Sequence, residues 1–300
     1  MVALAGQFPA PAKINLFLRI TGRRADGYHE LQTVFQFLDR GDTVSIRMRD
    51  DGELHLLTAL DGVPPDADLT LRAARLLKER YPHTPGADIS VIKRLPMGGG
   101  LGGGSSDAAT VIVALNAMWQ LGLPTPELAA LGLSLGADVP VFIAGRACWA
   151  EGTGEIMTPL PELEEITVAV VSPGVRVCTA AVFGAKQLTR NCLPLTIHGF
   201  PLADGKRRAH ELMAAGNVCE SVVRGVYPGV GECLDWLAQF GPARMTGTGS
   251  ACFCVLGEAA ALPPPPVAEW RVFSAKTLNE SPLRKAVETG PWKRSHAKRT

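Results

Sequence analysis

The sequence has almost no excess of charge of either sign. Its 30 Lys and Arg residues are balanced by 29 Asp and Glu residues, so the formal net charge is only +1. A general positive field that would attract nucleic acid or an anionic membrane surface is therefore lacking. The one basic run, residues 293–299, is short and terminal, and we interpret it as a solvated chain end. We expect small-molecule partners, and neither nucleic acid nor membrane.

Paired cysteines and long apolar runs are also lacking. The seven cysteines are odd in number, and none stands in a Cys-x-x-Cys pair, which favours a reducing compartment with buried thiols. No apolar run reaches the ~20 residues that span a bilayer. The N-terminus has neither the basic start nor the apolar core of a signal peptide. We therefore expect a cytoplasmic protein, either a monomer or a weak homodimer.

The length of 300 residues, with 46% hydrophobic residues, predicts two domains. Two prolines near residue 160 and an apolar strand that follows them predict a boundary at about 155–165. The expected division is residues 1–160, residues 161–285 and a disordered basic tail at 286–300.

Local periodicity predicts the main elements. Apolar residues at helical spacing predict a helix over 69–80, which ends before Tyr81-Pro82. Alternation over 13–20 predicts a strand with Lys13 and Asn15 on the same face. Residues 22–27 are predicted as a turn, Gly41-Asp42 as a break between two strands, and Pro263–Pro266 as a surface loop. Further strands are predicted at 31–38, 43–48, 88–93, 139–143 and 167–171, and further helices at 108–119 and 127–135.

The most informative segment lies between the strand at 88–93 and the helix at 108–119. Six of its seven positions from 98 to 104 are glycine, so its backbone can take positive φ and converge several N–H groups on one anion. Ser105, Ser106 and Asp107 follow, and because these residue types commonly cap helices, they predict a helix start near Ala108. We call this segment the glycine loop; it consists of Pro96, Met97, Gly98, Gly99, Gly100, Leu101, Gly102, Gly103, Gly104, Ser105 and Ser106.

Two better-known glycine motifs do not fit. A P-loop requires Gly-Lys-Ser/Thr, but Ser105 follows Gly104 directly. The dinucleotide fingerprint can be threaded through any glycine run, and no acidic residue follows a second strand ~20 residues later. A flexible linker seldom connects a strand to an amphipathic helix. The pattern therefore favours an anion site of another type.

The loop resembles the GHMP kinase signature Pro-x-x-x-Gly-Leu-Gly-Ser-Ser-Ala-Ala, with two extra glycines before the serines. Three other segments resemble one branch of that family, which uses a cytidine diphosphate-linked polyol in isoprenoid synthesis: Pro11–Leu16 with Arg24–His29, Leu135–Phe142, and Met245–Ser250. The resemblance extends over residues 9–285. It implies an α+β fold, with a ribosomal-S5-like N-terminal domain that binds ATP, a ferredoxin-like C-terminal domain and an active site between them.

The resemblance also implies a catalytic pair. Asp138 would act as the base that takes the proton of the acceptor 2-hydroxyl, with Lys13 as its electrostatic partner. Judged from the residues alone, Asp138 could instead cap a turn, and Lys13 could be an ordinary lysine at a strand edge.

Substrate contacts follow from the same resemblance. Asn15 would bind the acceptor end, and Tyr28 and His29 would close over the cytidine. Thr179 and Phe183, four residues apart on a helix, would share a face, with Phe183 stacking on cytosine. Thr246, Gly247, Thr248 and Gly249 would form a second backbone nest near the phosphates. Each assignment has an alternative: His29 could be an ordinary surface histidine, Phe183 a core phenylalanine, and the segment 246–249 a plain hairpin turn.

Some positions depart from the family pattern. Asp68-Leu69 stands where an asparagine-leucine pair contacts adenine, so the amide donor is missing. Asn217–Glu220 replaces a more usual Asn-Asp-x-Glu, which puts any role for the acidic position, Val218 in this chain, in question. ATP with Mg2+ is the expected cofactor, and no acidic cluster indicates a protein metal site, so Ser106 is the only candidate ligand. Another kinase of the superfamily and a non-catalytic nucleotide sensor remain as alternative functions.

Overall fold

The computed structural model describes residues 4–60, 62–257 and 262–292. Its strands are β1 (Ala5–Arg23), β2 (His29–Arg49), β3 (Leu54–Leu56), β4 (Gly86–Ile92), β5 (Cys148–Glu151), β6 (Ile156–Pro159), β7 (Thr167–Ser172), β8 (Leu202–Ala203), β9 (Lys206–Arg207), β10 (Ala243–Met245), β11 (Cys252–Val255) and β12 (Arg271–Leu278). Its helices are α1 (Leu69–Arg80), α2 (Gly103–Met118), α3 (Thr125–Leu133), α4 (Val139–Ala144), α5 (Thr179–Gly184), α6 (Ala209–Met213), α7 (Cys219–Val226), α8 (Pro228–Leu237) and α9 (Pro282–Thr289).

One ten-stranded sheet is the central element of the fold. Its strand order is β10-β11-β7-β12-β2-β4-β3; β1 and β5 also pair with β2, and β6 pairs with β5. The long strand β2 is therefore the centre of the sheet. Strand β12 pairs with β7 along Arg271–Lys276 and then with β2 at Thr277 and Leu278. The sheet thus continues across the domain boundary that we predicted near residue 160. The division into domains at residues 1–160 and 161–285 stays a prediction.

Separate apolar cores pack against the two ends of the sheet. In the first, α1, α2 and α4 cover β1, β2 and β4; in the second, α7 and α8 cover β7 and β11. The predicted apolar stripe of α2 is confirmed, because all six of its members are buried: Ala108, Val111, Ile112, Leu115, Met118 and Trp119. Burial of this stripe fixes the position of α2, and hence of the glycine loop that precedes it. The helix predicted at 69–80 is confirmed as α1, and Pro263–Pro266 forms an irregular surface segment.

The helix after the glycine loop begins earlier than predicted. Its first residue is Gly103, and Gly102 occupies the N-cap position with φ at +74° and no side-chain cap. Ser105, Ser106 and Asp107 therefore lie inside the first turns and do not cap the helix. Capping chemistry in the sequence marked a helix start nearby but did not identify the cap residue.

Two other predictions were wrong. Residues 139–143 form helix α4 and not a strand, because a short apolar run buried on all sides carries no period that separates strand from helix. Residues 41–42 lie within the continuous strand β2, where a Cβ on Gly41 would approach Ala10 O to 2.2 Å. Glycine at this position is needed for close pairing with β1, and it does not separate two strands.

The predicted tail begins too early. Residues 286–289 belong to α9, and Trp292 is buried with its ring 5.0 Å from that of Phe8. This aromatic contact attaches the C-terminal helix to β1. The rest of the predicted tail, residues 293–300, lies outside the described residues.

Candidate active site

A cavity of about 570 Å3 opens between the glycine loop and the C-terminal half of the chain. Both halves contribute to its wall, since the residues that line it come from β1, the start of α2, the turn before α4, helix α5 and the segment 247–249. The predicted site residues that line it are Lys13, Asn15, Asp68, Leu69, Pro96, Met97, Gly98, Gly99, Gly100, Leu101, Gly102, Gly103, Gly104, Ser105, Asp138, Thr179, Phe183, Gly247, Thr248 and Gly249.

The glycine loop packs directly on the second glycine segment, Thr246–Gly249. The Ala251 amide donates to Gly99 O at 3.0 Å, and a Cβ on Gly100 would lie 2.3 Å from Thr246 O. Gly100 also has φ at +74°, which side chains rarely adopt. The two backbone segments can approach this closely because the loop has no side chain at that point.

The start of α2 provides an anion site. The first hydrogen bond of the helix runs from Ser106 N to Gly102 O at 2.8 Å, so the amides of residues 103–105 precede the helical ladder. These three residues line the cavity. Unpaired amides and the positive end of a helix dipole together favour phosphate.

Lys13 and Asp138 form an ion pair at the edge of the loop. Lys13 Nζ lies 3.2 Å from Asp138 Oδ2, and it also donates to Asn15 Oδ1 at 2.7 Å and to Gly100 O at 3.0 Å. The lysine is 2% exposed, which excludes an ordinary strand-edge lysine. Asp138 occupies the N-cap position of α4 but makes no side-chain cap, so it is not a turn-capping aspartate. Its carboxylate instead faces the cavity beside a buried ammonium.

Asn15 is held by the protein on several sides. Its Oδ1 accepts from Lys13 and from Thr246 Oγ1, and its Nδ2 donates to Thr33 Oγ1 at 2.9 Å. Because an amide nitrogen has two hydrogens, one donor remains for a ligand in the cavity. The side chain therefore presents a fixed donor next to the Lys13–Asp138 pair.

Beside the loop lies a buried charge cluster that the sequence interpretation missed. Lys93 Nζ bridges Asp42 and Asp107, with 2.7 Å to Asp107 Oδ2. Burial opposes the charge of Lys93, but Asp107 and Asp42 outweigh it and raise its pKa. Burial raises the pKa of Asp107 to about 7 despite Lys93, because one ammonium cannot compensate two carboxylates. Asp42 also accepts from the amides of residues 94 and 95, which holds the chain at the entry to the loop.

Asp68 has a structural role that its position in the sequence did not indicate. It is the N-cap of α1, and its Oδ1 accepts from Thr70 N at 2.8 Å and from Leu71 N at 3.3 Å. Its neighbour Leu69 lines the cavity, and its Cδ1 would lie 3.5 Å from a Cβ on Gly104. Asp68 thus has a carboxylate where the family pattern has an asparagine amide, and this carboxylate caps the N-terminus of α1.

The predicted base-binding residues separate into two groups. Thr179 and Phe183 lie on α5 and line the cavity, and Thr179 Oγ1 lies 2.9 Å from Thr248 Oγ1. Tyr28 is 65% exposed, and neither it nor His29 lines the cavity. The His29 ring nevertheless stacks on Phe183, with centroids 5.3 Å apart. One face of Phe183 is therefore already covered by His29.

The two residues of Asn217–Glu220 that match the family pattern, Asn217 and Glu220, have a structural role. Asn217 Nδ2 donates to Met245 O and Gly247 O, each at 2.8 Å, and Glu220 Oε1 accepts from Met245 N at 2.8 Å. Burial raises the pKa of Glu220. The two side chains hold both polar groups of Met245 and so fix the start of the second glycine segment.

No cluster of three His, Cys, Asp or Glu side chains suited to a metal occurs in the described ranges. Ser106 Oγ is fully buried and has no hydrogen-bond partner among the described residues. Its oxygen is of the kind that a hard cation such as Mg2+ prefers, but Ser106, unlike Ser105, does not line the cavity. Within the described ranges, no helix has both the length and the apolar character needed to cross a bilayer.

The cavity, its paired charges and its helix-start anion site are those of a small-molecule kinase, and comparison with known proteins defines the class. The GHMP kinases N terminal domain matches residues 68–146, and the GHMP kinases C terminal domain matches residues 202–262. The chain belongs to the GHMP kinase family, with the two-domain, mixed α and β fold of that family, and it is a phosphotransferase.

Individual relatives narrow the comparison. The chain is 53% identical to the 4-diphosphocytidyl-2-C-methyl-D-erythritol kinase of Nitrosococcus oceani, over 94% of this chain and 98% of that protein. It is 58% identical to the enzyme of the same name from Alkalilimnicola ehrlichii, over 82% of this chain and 81% of that protein. A crystal structure of a 4-(cytidine 5'-diphospho)-2C-methyl-D-erythritol kinase superposes with a TM-score of 0.73 at 31% identity and covers 90% of this chain and 98% of that one.

Proposed function

We propose that the chain transfers the γ-phosphoryl group of ATP to the 2-hydroxyl of 4-diphosphocytidyl-2-C-methyl-D-erythritol, a step of isoprenoid precursor synthesis. The observation that carries the proposal is the Lys13–Asp138 pair. Its lysine also donates to Gly100 O of the glycine loop, so the charge pair is tied to the phosphate-binding backbone. The names of relatives 53% and 58% identical to the chain support the choice of acceptor.

In the proposed mechanism, the acceptor hydroxyl lies against Asp138. Its oxygen attacks the γ-phosphorus as the bond from that phosphorus to the β–γ bridging oxygen breaks and ADP leaves. The hydroxyl proton passes to the Asp138 carboxylate and then to solvent. Lys13 compensates the negative charge that gathers beside it. Asn15 orients the acceptor through its remaining amide hydrogen.

The phosphates of ATP would lie on the amides at the start of α2 and on the Thr246–Gly249 segment. Mg2+ bound with ATP supplies further compensation of phosphate charge. Ser106, whose hydroxyl lacks a partner among the described residues, is the side chain we propose as its ligand. Leu69 and Asp68 would lie at the adenine.

The cytidine would bind near α5, with Phe183 offering one ring face and Thr179 a hydroxyl. Because His29 covers the other face of Phe183, we propose that the base either stacks on the open face or displaces His29. Tyr28, exposed at the adjacent turn, is available to close over it.

The direct test incubates the full chain with Mg2+, ATP and 4-diphosphocytidyl-2-C-methyl-D-erythritol. Formation of ADP and of an acceptor that carries one more phosphate, in equal amounts, is the expected result. Homoserine and mevalonate, assayed in parallel, should give no product. Product from either of these, or failure of CDP to bind at millimolar concentration, would overturn the cytidine assignment.

A further inference from the structure

An acidic side chain lies in the middle of the long strand β2 and has no part in the proposed chemistry. Asp42 pairs across the sheet with Ala10 of β1, and the next residue, Thr43, pairs with Ile92 of β4. The carboxylate is 0% exposed and does not line the cavity. Burial of a carboxylate is costly unless hydrogen bonds and an opposite charge compensate it. The partners of Asp42 therefore indicate what it does.

Asp42 holds the chain where it enters the glycine loop. Its Oδ1 accepts from the amide of Arg94 at 2.6 Å and from that of Leu95 at 2.9 Å, and its Oδ2 accepts from Lys93 Nζ. These three partners lie between the end of β4 and Pro96, the first residue of the loop. One carboxylate thus fixes the backbone between strand and loop.

The same lysine reaches the other end of the loop. Lys93 Nζ donates to Asp107 Oδ2 at 2.7 Å, and Asp107 directly follows the last loop residue, in the first turns of α2. A Cβ on Gly103 would lie 3.3 Å from Lys93 Nζ and 3.4 Å from Asp42 Oδ2, so the charges lie against the first residue of α2. The entry and the exit of the glycine loop are therefore joined through one ammonium group.

The middle of the loop has separate supports. Lys13 N donates to Leu101 O, and Ala251 N donates to Gly99 O, each at 3.0 Å. The amides of residues 103–105 lie beyond these contacts, at the exit that Lys93 holds. Glycine loses more conformational freedom than other residues when its backbone is ordered. Fixing both ends of the loop in the free protein therefore lowers the entropy that a ligand must remove when it binds.

We propose that Asp42 is a positioning residue for the nucleotide: through Lys93 it joins the two ends of the glycine loop and holds the amides of residues 103–105 ready for the phosphates of ATP. This inference rests on the proposed ATP site. Donors that are already in place bind an anion without an ordering cost. Loss of Asp42 should therefore weaken nucleotide binding and leave the chemical step at the Lys13–Asp138 pair unchanged.

The first test needs no variant. In the wild-type chain labelled with 15N, relaxation order parameters of the amides of residues 98–105 should already have, without ligand, the values that they have in the complex with ATP and Mg2+. A loop that is mobile in the free chain and becomes ordered only with ATP overturns the inference, whatever the variants show.

The second test replaces the carboxylate. Asp42→Asn keeps the size of the side chain and one oxygen for the amides of residues 94 and 95, but it removes the charge that pairs with Lys93. We expect the KM and the dissociation constant of ATP to rise about tenfold, while kcat at saturating ATP and the KM of the acceptor stay within about twofold. If the variant is less stable in urea but its KM for ATP is that of the wild type, Asp42 has only a structural role and the inference is wrong.

A double-mutant cycle tests whether Asp42 acts through Lys93, which itself lines the cavity. Lys93→Met should raise the KM of ATP at least as much as Asp42→Asn does. Adding Asp42→Asn to Lys93→Met should then change the KM by less than about twofold, because the link is already broken. Multiplication of the two separate effects would show that the residues act independently, and it would overturn the inference.

Asp51→Asn is the matched control. Asp51 also accepts from a basic side chain, Arg49, and from a backbone amide, that of Glu53 at 3.0 Å, but it does not line the cavity or flank the loop. Its KM for ATP should equal that of the wild type. If the wild type binds ATP and Asp42→Asn binds it equally well, the inference fails and the proposed function stands. If the wild type does not bind ATP at all, the proposed function itself fails.

Discussion

Lys13 Nζ lies 3.2 Å from Asp138 Oδ2, yet the lysine side chain is 2% exposed and the aspartate side chain 36%. The cation is held inside the wall of the cavity, and the carboxylate is presented to its contents. Asp138→Asn keeps the shape of this side chain but removes its ability to accept a proton. We expect kcat to fall by about 10²- to 10⁴-fold while the dissociation constant of ATP is unchanged. Initial rates and calorimetry measure the two quantities.

Asp235→Asn is a suitable control for this change, since Asp235 pairs with Arg224 at an exposed position outside the cavity. Its turnover should equal that of the wild type. Turnover of Asp138→Asn within tenfold of the wild type would show that another group takes the proton. A nucleotide sensor would likewise keep its ATP affinity, but it would have no turnover to lose.

The close approach of the two glycine segments gives a second prediction. Gly98 and Gly100 both have positive φ, but a Cβ at Gly98 meets no atom within 4 Å, whereas at Gly100 it meets Thr246 O at 2.3 Å. Gly98→Ala should therefore cost only the backbone strain, about 1 kcal/mol of unfolding free energy. Gly100→Ala should cost about 1 to 3 kcal/mol more and raise the KM of ATP.

Urea unfolding and ATP kinetics of the two alanine variants separate strain from steric contact. The pair is closely matched, because both residues lie in the same loop with nearly the same φ. Equal losses of stability would mean that the contact with Thr246 is not tight, and that the two segments move independently.

The sequence predicted those features that depend on residues close together in the chain. Helix α1 and the buried stripe of α2 follow from periodicity within a few turns, and the glycine loop was recognisable from composition alone. Helix α4 was not, since five apolar residues in a row are compatible with either structure. Its misassignment did not affect Asp138, which was identified by its motif.

Pairings between distant residues were beyond any local pattern. Lys93 meets Asp107 across 14 positions and Asp42 across 51, and only the folded sheet brings them together. Arg190 and His29 are 161 positions apart, so neither residue alone suggested their contact. Lys13 and Asp138 were paired in advance only because a family motif was present at each position.

The N-cap role of Asp68 predicts how substitutions there will behave. Its carboxylate accepts from two amides of the first turn of α1, and an asparagine oxygen can do the same. Asp68→Asn should therefore change the unfolding free energy by less than about 0.5 kcal/mol, whereas Asp68→Ala should lose about 1 kcal/mol. Thermal and urea unfolding measure both.

The same pair of variants tests the adenine contact. If the amide donor of the family pattern matters, Asp68→Asn should lower the KM of ATP relative to that of GTP. An unchanged ratio of the two KM values would mean that purine selectivity in this chain does not pass through residue 68.

The Asp42–Lys93–Asp107 cluster predicts an unusual dependence of stability on pH. Burial raises the pKa of Asp107 from 3.8 to about 7, so the folded chain holds this proton more tightly than the unfolded chain. The stability from this group is fully present below about pH 4 and is lost as the pH rises through about 7. In the Asp107→Asn variant, the asparagine side chain does not ionise, so this loss of stability is absent. Its unfolding free energy relative to the wild type should therefore increase by about 1 to 3 kcal/mol between pH 5 and pH 8.

Asp51→Asn provides the contrast, because the hydrogen bond from Arg49 lowers the pKa of Asp51 to about 2. Asp51 is ionised in both the folded and the unfolded chain from pH 5 to pH 8, so the difference between this variant and the wild type should be constant over that range. Urea unfolding at each pH unit gives both curves. If the Asp107→Asn curve runs parallel to the wild type, Lys93 compensates both of its carboxylates, and the proton that we assign to Asp107 at neutral pH is absent.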